Sequence, residues 1–261
     1  MIKTLNATRY ITPLREGGSL PAIVEANDSQ LYVMKFVGAG QGPKALIAEL
    51  LAGEIGRTLG LRVPELVLLQ LDPMLARSEP HQEIQDLLVA SAGRLNLGLR
   101  YLPNAFDFNA LLEPGPSAEL ASQIVWFDAY VTNVDRTPRN VNMLMWQDNL
   151  WLIDHGAALY FHHSWDNYLE RSKNPFALIK NHTLLPFADM LPQANAAMRT
   201  RLSPELIIEI VEAIPNEWLD QDSVFASYTE HREAYVTYLL NRLEASSNFV
   251  EEAVNAHTSL V

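Results

Sequence analysis

Short apolar runs separated by turn residues open the chain. Tyr10-Ile11, Pro21-Ala22-Ile23-Val24 and Leu31-Tyr32-Val33-Met34-Lys35-Phe36-Val37 alternate with Arg15-Glu16-Gly17-Gly18-Ser19 and Asn27-Asp28, which predicts antiparallel strands joined by hairpins. From Lys44 to Gly60 the period changes. Ile47, Leu50, Leu51, Ile55 and Leu59 recur at helical spacing, so one face of a helix is buried. A second stripe on that helix holds Glu49, Gly53, Gly56 and Gly60. Each interior glycine costs about 1 kcal/mol relative to alanine, so the stripe predicts close approach of the helix backbone to a neighbour. Leu66 to Leu71 reads as a strand, Gln82 to Leu88 as helix, and Leu97 to Leu102 as a strand stopped at Pro103-Asn104. Ser117 is the expected N-cap of a helix carrying Leu120, Ile124, Phe127, Asp128 and Val131 near one face. That helix delivers the chain to Asn133. Val141 to Trp146 and Leu150 to Ile153, split by Gln147-Asp148-Asn149, form a hairpin signal, and Tyr228 to Asn255 is mostly helical. The expectation is an α+β, two-lobed architecture. A small antiparallel-sheet lobe with one helix spans 1–103, and a mainly helical lobe spans 104–261.

Composition narrows the classes. Of 261 residues, 48% are hydrophobic, ample for a core. With 31 acidic and 19 Lys/Arg residues the formal charge is −12, which argues against nucleic acid or an anionic membrane as partner, although a local basic patch stays open. There is no cysteine, so disulfides, thiolate metal sites and cysteine nucleophiles are excluded. No signal-like or membrane-spanning apolar run is present. The expectation is a soluble cytoplasmic protein whose oligomeric state is left undetermined.

The informative stretch is Asn133-Val134-Asp135-Arg136-Thr137-Pro138-Arg139-Asn140, followed by Ile153-Asp154-His155-Gly156. Phosphoryl transfer needs positioning, a metal-held triphosphate and a carboxylate for the proton of the incoming hydroxyl. Asp135 is the candidate for that carboxylate. Asn140 and Asp154 offer the hard oxygens that magnesium takes while keeping several waters. Lys35, mid-strand among apolar neighbours, calls for a partner, and Glu49 supplies one. Together they suit a phosphate anchor. Gly17-Gly18-Ser19 is the candidate phosphate-covering turn, although no G-x-G-x-x-G is present. Tyr101-Leu102 is the candidate adenine contact. Asn133 reads as a loop holder, and Asn142 as either a loop holder or a spare ligand. His162-His163 with Asp166 reads as a polar loop rather than a zinc centre, because adjacent histidines do not converge easily.

Lys35, the Glu49 helix ending in Leu59-Gly60-Leu61, Asn133-x-Asp135-x4-Asn140 and Asp154 together resemble the HipA-like kinases, a divergent branch of the protein-kinase-like fold. Asp135-Arg-Thr-Pro-Arg-Asn140-Val-Asn and Ile153-Asp-His-Gly-Ala-Ala-Leu look especially like the stand-alone domain of that family. The resemblance covers most of the chain, with its specific part at about residues 125 to 160. It implies ATP and Mg2+ as cofactors, phosphorylation of serine or threonine in proteins, Asp135 as catalytic base, Asn140 and Asp154 as magnesium ligands, and Lys35 as phosphate anchor. The sequence departs from ordinary protein kinases: no His-Arg-Asp precedes the loop, Asp154-His155-Gly156 replaces Asp-Phe-Gly, and no Ala-Pro-Glu follows. Thr137 stands where many relatives carry His or Lys, which leaves Arg139 or Arg136 to supply positive charge near the transferred phosphate. Two alternatives stay open. One is a nucleotide-sensing pseudokinase; the other is an enzyme of the same fold acting on a small molecule or transferring AMP.

Overall fold

Alternation decides the first hundred residues. β1 (Lys3–Pro13), β2 (Ala22–Ala26) and β3 (Leu31–Lys35) follow the alternating runs, then α1 (Gly42–Thr58), β4 (Leu66–Leu71), α2 (Gln82–Ser91) and β5 (Leu95–Arg100). The computed structural model describes residues 2–14, 20–40, 42–112, 114–220, 222 and 224–260. The Gly17-Gly18-Ser19 turn therefore lies outside the described residues. The five strands close into a barrel in the order β1-β2-β3-β5-β4. The antiparallel expectation holds for β1/β2, β2/β3, β3/β5 and β4/β5. It fails at the closure, where β1 and β4 run parallel with Leu5 opposite Leu69. Register shifts at Ala7/Arg9 and Tyr10/Thr12 give the 11-residue β1 the extra twist that lets it reach both neighbours.

Val24, Tyr32, Met34, Val67 and Leu69 fill the barrel. The opposite face supplies Leu66, Leu97 and Leu99 to a larger cluster with Leu50, Leu51 and Ile55 of α1. That cluster runs on across residue 103 to Phe127, Tyr130 and Leu239. The glycine stripe of α1 is used as expected. A Cβ on Gly56 would lie 3.1 Å from Val63 Cγ2 and 3.3 Å from Phe127 Cζ.

β6 (Phe106–Asp107), α3 (Ala118–Tyr130), β7 (Met143–Trp146) and β8 (Asn149–Leu152) follow, with β6, β7 and β8 forming an antiparallel sheet. Ser117 caps α3, its side chain accepting from the Leu120 amide at 3.2 Å. The remainder is helical: α4 (Tyr168–Arg171), α5 (Leu191–Arg199), α6 (Pro204–Glu212), α7 (Asn216–Leu219), α8 (Tyr228–Glu244) and α9 (Ser246–Thr258). Arg242 of α8 is buried at the end of α3. It donates to the carbonyls of Ala129 (2.6 Å), Tyr130 (2.8 Å), Ser172 (3.2 Å) and Asn174 (3.0 Å), and its Cζ lies 4.9 Å from the Phe249 ring of α9. One guanidinium thus satisfies carbonyls that a helix C-terminus leaves open. Among the described residues no helix is long and apolar enough to cross a membrane.

Candidate active site

β3 and α1 bring Lys35 and Glu49 together. Lys35 Nζ lies 2.5 Å from Glu49 Oε2 and 2.6 Å from Asp154 Oδ1. The Glu49 side chain is fully buried, Lys35 is 14% exposed and Asp154 is 52% exposed, so this line of charges runs from the core to solvent. Burial works against the charge on Lys35, but the Glu49 and Asp154 carboxylates outweigh it and hold its pKa above the usual lysine value. Burial likewise opposes ionisation of Glu49. Lys35 and His155 overcome it and lower the carboxyl to about 2. His155 contributes twice: its backbone amide donates to Glu49 Oε2 at 2.8 Å, and its Nδ1 lies 3.2 Å from Oε1. At Asp154 the backbone takes a left-handed φ of 53°, a conformation that Asp tolerates better than most residues. It ends the extended run of β8.

Asp135 and Asn140 meet on the loop after α3. Thr137 and Asn140 exchange backbone hydrogen bonds at 3.0 Å, which closes a tight turn and sets Asn140 Nδ2 2.7 Å from Asp135 Oδ2. The amide nitrogen of Asn140 is thereby committed to Asp135, and its amide oxygen is the end left for a cation. Arg139 is exposed on the same turn.

Asp128, buried near the end of α3, sets the shape of this loop. Its carboxylate accepts from Asn133 Nδ2 (2.9 Å) and Arg136 Nε (2.6 Å), and His182 Nε2 lies 2.8 Å away. Burial disfavours its charge, yet Arg136 and His182 hold its pKa well below the usual carboxylate range. Asn133 Oδ1 accepts from the Asp135 amide at 3.2 Å, so Asn133 is a loop holder as expected. Arg136 is also buried, which removes it from phosphate duty. It donates to the carbonyl of Asn142, with Ile153 O at 3.4 Å. Asn142 Nδ2 in turn lies 3.5 Å from the carbonyl of Asp154. Backbone and buried side chains therefore connect the Asp135/Asn140 turn to the Lys35/Glu49/Asp154 group.

Tyr101 and Leu102 lie elsewhere. The Tyr101 amide donates to Leu31 O at 2.9 Å, and both residues line a cavity that includes none of Lys35, Glu49, Asp135, Asn140 or Asp154. The polar-loop expectation fits the exposed His163 and Asp166 and is corrected for His162. The two histidines belong to a 3-10 turn, Tyr160–His163, in which His162 is buried with Nδ1 3.0 Å from Tyr235 Oη. The apolar neighbours Phe161 and Tyr238 stack face to face beside it and draw the turn inward. Lys44 of α1 donates to the His162 carbonyl at 2.6 Å and pairs with Asp222 at 3.0 Å, tying the start of α1 to the segment after Asp154.

Among the described residues no group of three or more His, Cys, Asp or Glu side chains is placed to hold a metal ion. The donor set here is smaller and all oxygen: the Asn140 amide oxygen and the half-exposed Asp154 carboxylate. Such a pair fits an ion that keeps waters and takes phosphate oxygens.

The HipA-like kinase family model matches residues 8–252. No curated protein matches the chain by sequence. The crystal structure of the Helicobacter pylori proinflammatory kinase CtkA superposes with a TM-score of 0.61 at 15% identity, covering 100% of both chains; at that identity the likeness concerns the fold. The Golgi casein kinase with Mn/ADP bound gives a TM-score of 0.48 at 13% identity, over 96% of this chain and 73% of that one.

Proposed function

Because the chain belongs to the HipA-like kinase family, we propose that it is an ATP- and magnesium-dependent kinase that phosphorylates serine or threonine hydroxyls of a protein. The observation that carries this reading is Lys35 bridging Glu49 and Asp154, with Asp135 and Asn140 side by side on the adjoining loop. In this reading residues 1–103 and 104–261 are two lobes with the nucleotide between them, and the enzyme acts in the cytoplasm.

Each residue then has a task. Asp135 orients the acceptor hydroxyl and takes its proton. Lys35, held charged by Glu49, anchors the phosphates, and His155 fixes Glu49 in turn. Asn140 and Asp154 would hold magnesium, which would supply neutralisation of phosphate charge. Arg139, exposed beside Asn140, offers its guanidinium to the transferred group. The Asp154 carboxylate that pairs with Lys35 would be the charged ligand of magnesium, and Lys35 would stand beside it for the phosphates.

Titration calorimetry with a non-hydrolysable ATP analogue, with and without magnesium, and transfer from labelled ATP test this reading on the wild type and Asp154→Ala. Magnesium-dependent binding and transfer are expected in the wild type, with transfer abolished in the folded variant. Unchanged transfer in Asp154→Ala sinks the site assignment. Nucleotide binding without transfer to any acceptor moves the protein to the nucleotide-sensing class.

A further inference from the structure

A cavity of about 610 Å³ opens between the α1–β4 turn, the connector after β5 and the β7–β8 hairpin. It is separate from the group around Lys35, and its walls combine two chemistries. Arg57, Arg62 and Arg100 all line it, on a chain of net charge −12. Arg57 is fixed by donation to Val63 O at 3.1 Å and by Glu54 at 3.3 Å. Arg100 is fixed by Gln30 and lies 5.7 Å over the Tyr32 ring. Arg62 is exposed on the turn between α1 and β4. The single carboxylate in the lining, Glu65, is paired with Lys3 at 2.9 Å.

The second chemistry is aromatic. Trp146 is anchored by its indole N–H on Pro103 O at 3.0 Å. It meets Trp151 edge to face, with centroids 5.3 Å apart and planes at 72°. Both rings are only partly buried, and Tyr101 stands beside them in the lining. Large, fixed π-faces favour a flat partner, whereas the arginines favour an anion and also stack on planar groups. A simple inorganic anion leaves the indoles unused, and a neutral ring leaves the arginines unused. We propose that this cavity binds a planar aromatic anion, a carboxylate, sulfonate or phosphate carried on one or two fused rings, independently of nucleotide in the cleft.

The test uses the full chain labelled with 15N-tryptophan, whose five indole N–H signals are assigned with Trp146→Phe and Trp151→Phe. Indole-3-acetate and naphthalene-2-sulfonate are titrated in, with neutral indole-3-acetamide as control, each with and without magnesium and a non-hydrolysable ATP analogue. The expected result is movement of the Trp146 and Trp151 signals by the two anions, unchanged by nucleotide. Arg62→Ala, at an exposed position, weakens binding on the order of fivefold to tenfold, the loss of one charge-assisted contact. Absence of movement at millimolar anion, equal movement by the acetamide, or uniform movement of all five signals overturns the proposal. Loss of binding when nucleotide is added also overturns it, because the probe then occupies the cleft.

Discussion

A carboxylate that never meets solvent shapes the loop carrying Asp135. Asp128 has a fully buried side chain and holds Asn133, Arg136 and His182 at once. Asp128→Ala leaves the Arg136 guanidinium buried without its counter-charge, an arrangement that costs about 3–5 kcal/mol. Urea denaturation is expected to show a loss of that size, and a loss below about 1 kcal/mol contradicts the role. Lys35, Asp135, Asn140 and Asp154 are legible in the sequence because charged or amide side chains stand out in an apolar strand and a short loop. Asp128 is visible too, as an acid on an otherwise apolar helix face, but its partners are not. Its contact with His182 spans 54 positions, and that between Glu49 and His155 spans 106. Local spacing carries no information over such separations.

At the scale of elements, α1 is the part that must be placed accurately, because it presents Glu49 to Lys35. Its position is set by a near-contact at Gly56 with Val63 and Phe127 and by the Lys44 ties to His162 and Asp222. Gly56→Leu forces extra volume into that contact and is expected to destabilise the fold by about 1–3 kcal/mol, read from the urea midpoint. An unchanged midpoint means that the helix has room to move and the glycine is dispensable. The helix and its small stripe follow from hydrophobic period and glycine spacing. The parallel closure of β1 on β4 does not, since alternation fixes which face of a strand is buried and leaves its partner's direction open.

For the whole molecule, buried titratable groups give stability a defined pH dependence. Burial depresses the pKa of His162 and His231 below 6.5, the latter to about 4. Glu49 is lowered from 4.5 to about 2 despite its burial, because Lys35 and His155 outweigh it, and Asp128 falls below 3.8 through Arg136 and His182. For each, the unfolded chain takes up its proton at a higher pH than the folded chain. The stability is therefore complete above the unfolded value and is lost as pH falls through the folded one. The urea midpoint is expected to decline from about pH 6.5 and to steepen below about pH 4.5. His231→Phe, stacked between Phe225 and Tyr235, should flatten the upper part of that slope. A midpoint constant from pH 7 to 4 refutes the assignment.

Arg242 adds a constraint in time. During synthesis α3 and the Asp135 loop leave the ribosome more than a hundred residues before this arginine, yet the carbonyls of Ala129 and Tyr130 wait for its guanidinium. Until α8 arrives, the helix that carries Asp128 ends in unpaired acceptors. A nascent chain therefore holds the residues of the Asp135 loop long before it can fix their geometry, and the proposed phosphoryl transfer waits for α8 to emerge.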